Sequence, residues 1–167
     1  LARQYSQISK IDPAKNNFEK AIEINKKIYG IFHDDTARIH RELAFLYKSE
    51  KDYEEAYTQF QNAKEIMEAI YHEEHSELVN LITARSEIER LRSDENSEFK
   101  SLLDFKNRLI RLKTFSNYEI VSTNSTSFEQ SLHRLFQLIL KFDPKANIHE
   151  SFEVIQLLEL TSDDKTL

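Results

Sequence analysis

Apolar residues recur at intervals of three and four along most of the chain, which is the spacing of one face of an α-helix. The clearest example combines small and aromatic residues on the facing sides of two consecutive predicted helices: Leu43, Ala44, Tyr47, Ala56, Phe60 and Ala63. Alanines let two helix backbones approach closely, and the aromatic rings fill the space beside them. The pattern therefore predicts closely packed pairs of antiparallel helices.

A short polar stretch separates the two helices of this pair. Residues 48–52 form a predicted turn, in which Asp52 is placed to cap the next helix and Glu55 follows three residues later. We expect Asp12 and Pro13 to act in the same way nearer the start of the chain, because proline is favoured in the first turn of a helix.

The same pattern occurs twice with a period of 42 residues. Ten positions match without a gap: Leu1 and Leu43, Ala2 and Ala44, Tyr5 and Tyr47, Ala14 and Ala56, Phe18 and Phe60, Ala21 and Ala63, Ile24 and Ile66, Ile28 and Ile70, Tyr29 and Tyr71, and His33 and His75. A third copy fails at its central positions, where Glu89, Glu98 and Phe105 stand in place of Tyr47, Ala56 and Ala63. The chain thus contains two good repeats and one degenerate repeat.

These features predict four segments. Residues 1–113 form the helical repeats, residues 114–126 a loop, residues 127–161 two capping helices that cover the end of the stack, and residues 162–167 a frayed tail. The chain begins inside a pattern that is already under way, so we expect it to be a piece of a longer protein.

The composition supports an all-α fold. One Gly and two Pro are too few for the tight turns of a sheet protein. No cysteine is present, which suits a reducing, cytoplasmic setting, and no apolar run is long enough for membrane insertion. The net charge of −6 argues against nucleic-acid binding. A basic stretch at Lys106, Arg108, Arg111 and Lys113 is interpreted as a solvated helix face.

The order of residues at 43–47 and 56–63 resembles the tetratricopeptide repeat, and the long period resembles the variety found in kinesin light chains. Gly30 and His33 match the Gly-x-x-His-Pro segment that ends such repeats, although Asp34 replaces the proline. The resemblance covers residues 1 to about 93. It implies an α-solenoid, in which helix pairs stack into a right-handed superhelix whose concave groove binds other proteins.

No residue pattern supports an enzyme, a cofactor or a metal. His72 and His75 could share a metal ion, but an obvious third ligand is missing, and a histidine that bonds the helix-linker backbone is the favoured alternative for His33 and His75. His40 occupies a predicted packing position, so we expect it in the core with a satisfied ring nitrogen.

In such a stack, the first helix of each pair lines the groove. The residues predicted to face a partner there are Arg3, Arg38, Arg41, Phe45, Lys48, Asn80, Thr83 and Arg90. Their basic character contrasts with the acidic chain, and the hypothesis is a groove for an extended or helical acidic peptide, with Phe45 as an apolar anchor. In the alternative, the arginines pair with acids of the chain itself, such as Glu42 and Glu87.

Two other functions stay open. The apolar surfaces of the third repeat and the last two helices could form a homo-oligomer or an interdomain contact. The stack could also be a regulatory segment of a larger enzyme or adaptor protein.

Overall fold

In a computed structural model, residues 2–71, 75–115, 125–142 and 148–162 are described, and within these ranges the chain forms seven α-helices and no strand. The helices are α1 (Ala2–Tyr29), α2 (Asp34–Ser49), α3 (Tyr53–Ile70), α4 (Ser76–Leu91), α5 (Glu95–Phe115), α6 (Ser125–Phe142) and α7 (Ile148–Ser162). The predicted all-α fold is confirmed. Two compact units divide the chain, Leu1–His72 and Glu73–Leu167.

The first unit is built around the predicted pair of α2 and α3. Five of the six residues that form the pattern are buried, as predicted: Leu43, Ala44, Ala56, Phe60 and Ala63. The sixth, Tyr47, is half-buried. His40 is also buried, with Nδ1 2.7 Å from Oε1 of Gln59 on α3. Burial lowers the pKa of His40, which favours the neutral ring expected of a core histidine.

The turn between α2 and α3 has the predicted cap. The Asp52 side chain accepts a hydrogen bond from the Glu55 backbone N–H at 3.4 Å, and Lys51 before it has a left-handed φ of 65°. The next helix pair repeats this geometry 42 residues later. Ser93 has a φ of 60°, and Asp94 accepts from the Ser97 N–H at 3.1 Å. Helices α4 and α5 thus keep the turn of α2 and α3 although their core positions differ.

The helix start predicted at Asp12 and Pro13 is wrong, because α1 continues as one helix through Pro13. Residues 6–12 contain neither Gly nor Asn, so the local propensity opposes a helix only at the proline. The second half of α1 packs antiparallel to α2. Lys15 pairs with Glu50 and lies 4.4 Å from the centre of the Tyr47 ring, near the end of α2.

In the second unit, α5, α6 and α7 contribute to one apolar core together with Val79 and Ile82 of α4. Its most completely buried members from the last three helices include Phe105, Leu132, Leu135 and Val154. Helix α6 ends at Phe142, before Asp143 and Pro144, as predicted. The observed helices extend two residues into each end of the segment predicted as a loop, 114–126.

The interpretation of the basic stretch as solvated is wrong for Lys106 and Arg108, which are both buried. Lys106 Nζ lies 2.7 Å from Oε2 of Glu153 on α7, and Arg108 Nε lies 3.0 Å from Oδ1 of Asp104. Each buried charge thus has a carboxylate partner. The partner of Lys106 is far away in sequence, and the partner of Arg108 is one helical turn away.

A buried ion pair explains how the second unit accommodates a glutamate in an alanine position. Glu98, the counterpart of Ala56, is 1% exposed, and its two oxygens accept hydrogen bonds from Arg134 Nε and Nη2 of α6 at 2.9 and 2.8 Å. The hydrogen bond to Glu98 raises the pKa of Arg134, which stays charged. Glu98 therefore joins α5 to α6 through its ion pair with Arg134.

The repeated histidines cap helices. Nδ1 of His33 accepts from the Asp35 N–H at the start of α2, and Nδ1 of His75 accepts from the Glu77 N–H at the start of α4, both at 3.2 Å. This arrangement confirms the interpretation of both as linker histidines that bond the backbone.

Replacing His33 by alanine should lower the free energy of unfolding by about 1 kcal/mol, because the first turn of α2 loses its side-chain acceptor. His33→Asn should keep most of the stability, since asparagine is a preferred cap. Urea unfolding followed by circular dichroism measures both, with His133→Ala, an exposed histidine within α6, as the control. Equal loss in the Ala and Asn variants would contradict the capping role.

Replacing Arg134 by methionine should destabilise the chain by about 3–5 kcal/mol, because Glu98 is left buried without its partner. The double variant Glu98→Ala/Arg134→Met, which restores the residue type of repeat two, should recover most of that loss. Lys141→Met removes the exposed pair with Glu95 and is the control. A double variant no more stable than Arg134→Met would overturn this interpretation.

Candidate functional site

Four of the predicted partner-binding residues lie on one face of α2. Arg38, Arg41, Phe45 and Lys48 are separated by three or four positions, so they follow a single stripe along the helix. The buried positions of α2, among them Leu43, lie on another side. We call these four residues the basic face of α2.

Phe45 forms an apolar point on this basic face. Its side chain is 39% exposed, and its ring meets Phe60 of α3 edge-on with the centroids 5.2 Å apart. Lys48 Nζ lies 6.0 Å from the centre of the Phe45 ring. Because Phe60 is fixed in the core, it holds Phe45 in place while part of the ring stays open to solvent.

Both arginines of the basic face contact acids of the same helix. Arg38 Nη2 lies 2.5 Å from Asp35 Oδ1, and Arg41 Nε lies 3.7 Å from Glu42 Oε1. The side chains of Arg38 and Glu42 are more than half exposed. The predicted alternative of internal pairing thus occurs for Arg41 with Glu42, but surface pairs of this kind contribute only about 0–1 kcal/mol.

The remaining predicted residues lie elsewhere. Arg3 lies in α1, and its side chain is outside the described residues. In the second unit, Asn80 is half-buried and Arg90 is exposed on α4. Thr83 is 8% exposed and donates its hydroxyl to the Val79 carbonyl at 2.9 Å, so it offers little surface to a partner.

The paired side chains around Glu98 and Lys106 were not predicted from the sequence. The repeat register carried the signal for Glu98, because an acid in a position that is buried in the previous repeat requires a cationic partner. Glu89, the counterpart of Tyr47, follows the same rule. It is buried, and its Oε1 accepts from Arg85 Nε at 3.0 Å.

Metal chemistry finds no support among the described side chains. No group of three or more His, Asp or Glu within that part of the chain could hold a metal ion. His72 lies outside the described residues, and the ring nitrogen Nδ1 of His75 is engaged in its helix cap. Nor is any helix in the described ranges long and apolar enough to cross a membrane.

Comparison with known proteins places the chain among repeat proteins. The family profile of the tetratricopeptide repeat matches residues 1–69, whereas no curated protein gives a significant match. The crystal structure of BtubC (BKLC) from P. vanneervenii is similar with a TM-score of 0.64 and 15% identity, over 98% of this chain and 58% of that one. This chain therefore spans less than two thirds of that protein.

A second similar structure is that of a P. anserina protein with nearly identical TPR-like repeats, named as a candidate kinesin light chain. The TM-score is 0.64 at 17% identity, over 99% of this chain and 74% of that one. Likeness at these identities establishes the fold alone. Residues 1–69 match the family model of the tetratricopeptide repeat, and the chain shares the all-α repeat fold of these two structures.

Proposed function

We propose that this chain binds an acidic peptide or helix of a partner protein along the basic face of α2. Tetratricopeptide repeats are in general protein–protein interaction modules, and residues 1–69 match that family. The observation that carries the finer proposal is the partly exposed Phe45, flanked by Arg41 and Lys48 on a single helical stripe.

The chemistry of these side chains suits carboxylates next to an apolar group. Guanidinium groups donate paired hydrogen bonds to a carboxylate, and Arg38 and Arg41 are one turn apart. A side chain of the partner can pack on the exposed part of Phe45, which is held against Phe60. Because both the charge and the apolar contact lie on one helix, their spacing is fixed before binding.

Acids of the chain itself tune this face. Asp35 and Glu42 contact the two arginines, so an incoming carboxylate must compete with them. A partner's carboxylate can displace Asp35 and Glu42 because surface ion pairs contribute little free energy. The competition favours partners with several acidic groups over partners with one. Arg3 of α1 and, in the second unit, Asn80 and Arg90 of α4 are separate candidates for contact with a partner.

The chain works in this proposal as a scaffold or adaptor without catalysis, in the reducing cytoplasm that a sequence without cysteine suits. We also retain the predicted organisation, in which the helices at 127–161 cap repeats at 1–113.

A second candidate function is self-association, and the exposed apolar side chains of α6 and α7, such as Leu140 and Phe152, favour it. Sedimentation at several concentrations separates the two, because only self-association adds mass without a partner.

Charge reversal tests the peptide site. Arg38→Glu/Arg41→Glu should weaken binding to peptides that combine carboxylates with one apolar residue by at least about tenfold, because attraction becomes repulsion. Lys20→Glu/Lys51→Glu changes the net charge equally at exposed positions outside the basic face. Peptide arrays followed by fluorescence anisotropy provide the measurement. Unchanged binding in the arginine variant, or equal loss in the lysine control, would overturn the site.

Removing an internal competitor tests the same site in the opposite direction. Glu42→Gln deletes the carboxylate beside Arg41 and should tighten binding of the same peptide by a few-fold, which corresponds to a surface pair of under about 1 kcal/mol. Glu65→Gln, at an exposed position of α3, is the matched control and should leave the affinity unchanged. Weaker binding by Glu42→Gln would contradict the proposed competition.

A further inference from the structure

The Asp35 carboxylate lies between a histidine and an arginine at the start of α2. Its Oδ1 is 2.5 Å from Arg38 Nη2, and its Oδ2 is 3.9 Å from His33 Nδ1. We call these three residues the His33 cluster. The cluster connects the first arginine of the basic face with a histidine, the side chain type that gains or loses charge near neutral pH.

In the observed geometry, the ring of His33 is neutral. Its Nδ1 accepts a hydrogen bond from the Asp35 backbone N–H at 3.2 Å, so the ring proton lies on Nε2. The Asp35 carboxylate then compensates the charge of Arg38. This carboxylate is one of the internal competitors that an incoming carboxylate has to displace.

A protonated ring would also find partners without any rearrangement of the helix. Its Nδ1 would become a donor within ion-pair distance of Asp35 Oδ2. The ring also stacks on Tyr29 of α1, with the centroids 4.4 Å apart, and an aromatic face attracts a cation. Loss of the cap and the positive end of the helix dipole oppose protonation. The two protonation states therefore differ in how they use one carboxylate.

Other ionisable groups around the cluster have contacts of their own. Asp34 accepts a hydrogen bond from the hydroxyl of Tyr71, at the end of α3, at 2.6 Å. Lys26 and Lys27 in the last turn of α1 are exposed, so solvent and salt screen their repulsion of a further cation. The carboxylate between the ring and the guanidinium is therefore the group through which a proton on the ring can act.

Helix α4 begins with the same cap but has no arginine in the corresponding position. His75 Nδ1 accepts from the Glu77 N–H at 3.2 Å, as His33 does in α2. The position 42 residues after Arg38 holds Asn80. Protonation of His75 would thus remove a cap without changing the pairing of a cation at that position. The chain therefore offers a matched control histidine.

We propose that protonation of His33 strengthens the binding of an acidic peptide to the basic face of α2, an inference that rests on the proposed function. The charged ring pairs with Asp35, and Arg38 becomes available to a carboxylate of the partner. The ring also adds one positive charge at the end of the basic face, which attracts the partner further. Mild acidification thus regulates the site through a residue that need not touch the peptide.

Fluorescence anisotropy at two pH values tests this regulation with a peptide that carries several carboxylates and one apolar residue. Lowering the pH from about 7.5 to about 6 should decrease the wild-type Kd by at least about threefold, because histidine changes charge in this range while carboxylates stay ionised. His33→Asn keeps a cap and the affinity at the higher pH, but should lose the increase. His75→Asn should retain the increase.

The outcomes separate this inference from the proposed function. Wild-type binding that does not strengthen on acidification, or that strengthens equally in His33→Asn, would overturn the regulation and leave the peptide site standing. Equal loss of the increase in both histidine variants would also overturn it. Absence of binding at both pH values would refute the peptide site and the regulation together.

A measurement on the chain without peptide checks the link inside the cluster. In ¹H–¹⁵N spectra, the side-chain Nε–H signal of Arg38 should move as the His33 ring gains its proton, because the two groups share the Asp35 carboxylate. The same signal should stay in place over this pH range in His33→Asn. An Arg38 signal that moves equally in both proteins would contradict the link.

Discussion

The close approach of α2 and α3 depends on three alanines with no exposed surface, Ala44, Ala56 and Ala63. A larger side chain at any of them would push the helices apart. Protein interiors are so closely packed that an added methylene group strains the neighbouring side chains and backbone. The pair in turn fixes Phe60, and Phe60 supports Phe45 on the basic face. The orientation of the candidate binding residues therefore follows from the close packing of α2 against α3.

In the second unit, charged residues occupy positions that hold Tyr47 and Ala56 in the first unit. Glu98 stands at the Ala56 position and would destabilise a buried site if it were unpaired, yet Arg134 of α6 donates two hydrogen bonds to it. Glu89 and Lys106 are buried and paired in the same unit. Helices α4 and α5 thus have paired charges at positions where α2 and α3 have Tyr47 and Ala56, and α6 packs against α5.

The sequence predicted the elements that depend on local pattern. The turn at Asp52, the histidine caps and the alanine–aromatic packing all follow from residue type and spacing. The continuous helix through Pro13 did not, because the prediction relied on one unfavourable residue against a helical background. The buried Lys106 was also missed, since its partner Glu153 is distant in sequence and periodicity carries no information on such pairs. The residue spacing also predicted that the four residues of the basic face lie on one side of α2. Contact between this face and a partner is our proposal.

We propose that the stripe of Arg38, Arg41, Phe45 and Lys48, which lies along α2, contacts a partner directly. Phe60 and the alanines supply its rigidity, and the exposed Arg38 and the partly buried Arg41 supply positive charge next to Phe45. The most direct measurement is an NMR titration of the ¹⁵N-labelled chain with an acidic peptide that carries one apolar residue. We expect the largest amide shifts along the basic face of α2 and around Phe60. Shifts confined to α6 and α7, with α2 unaffected, would contradict it.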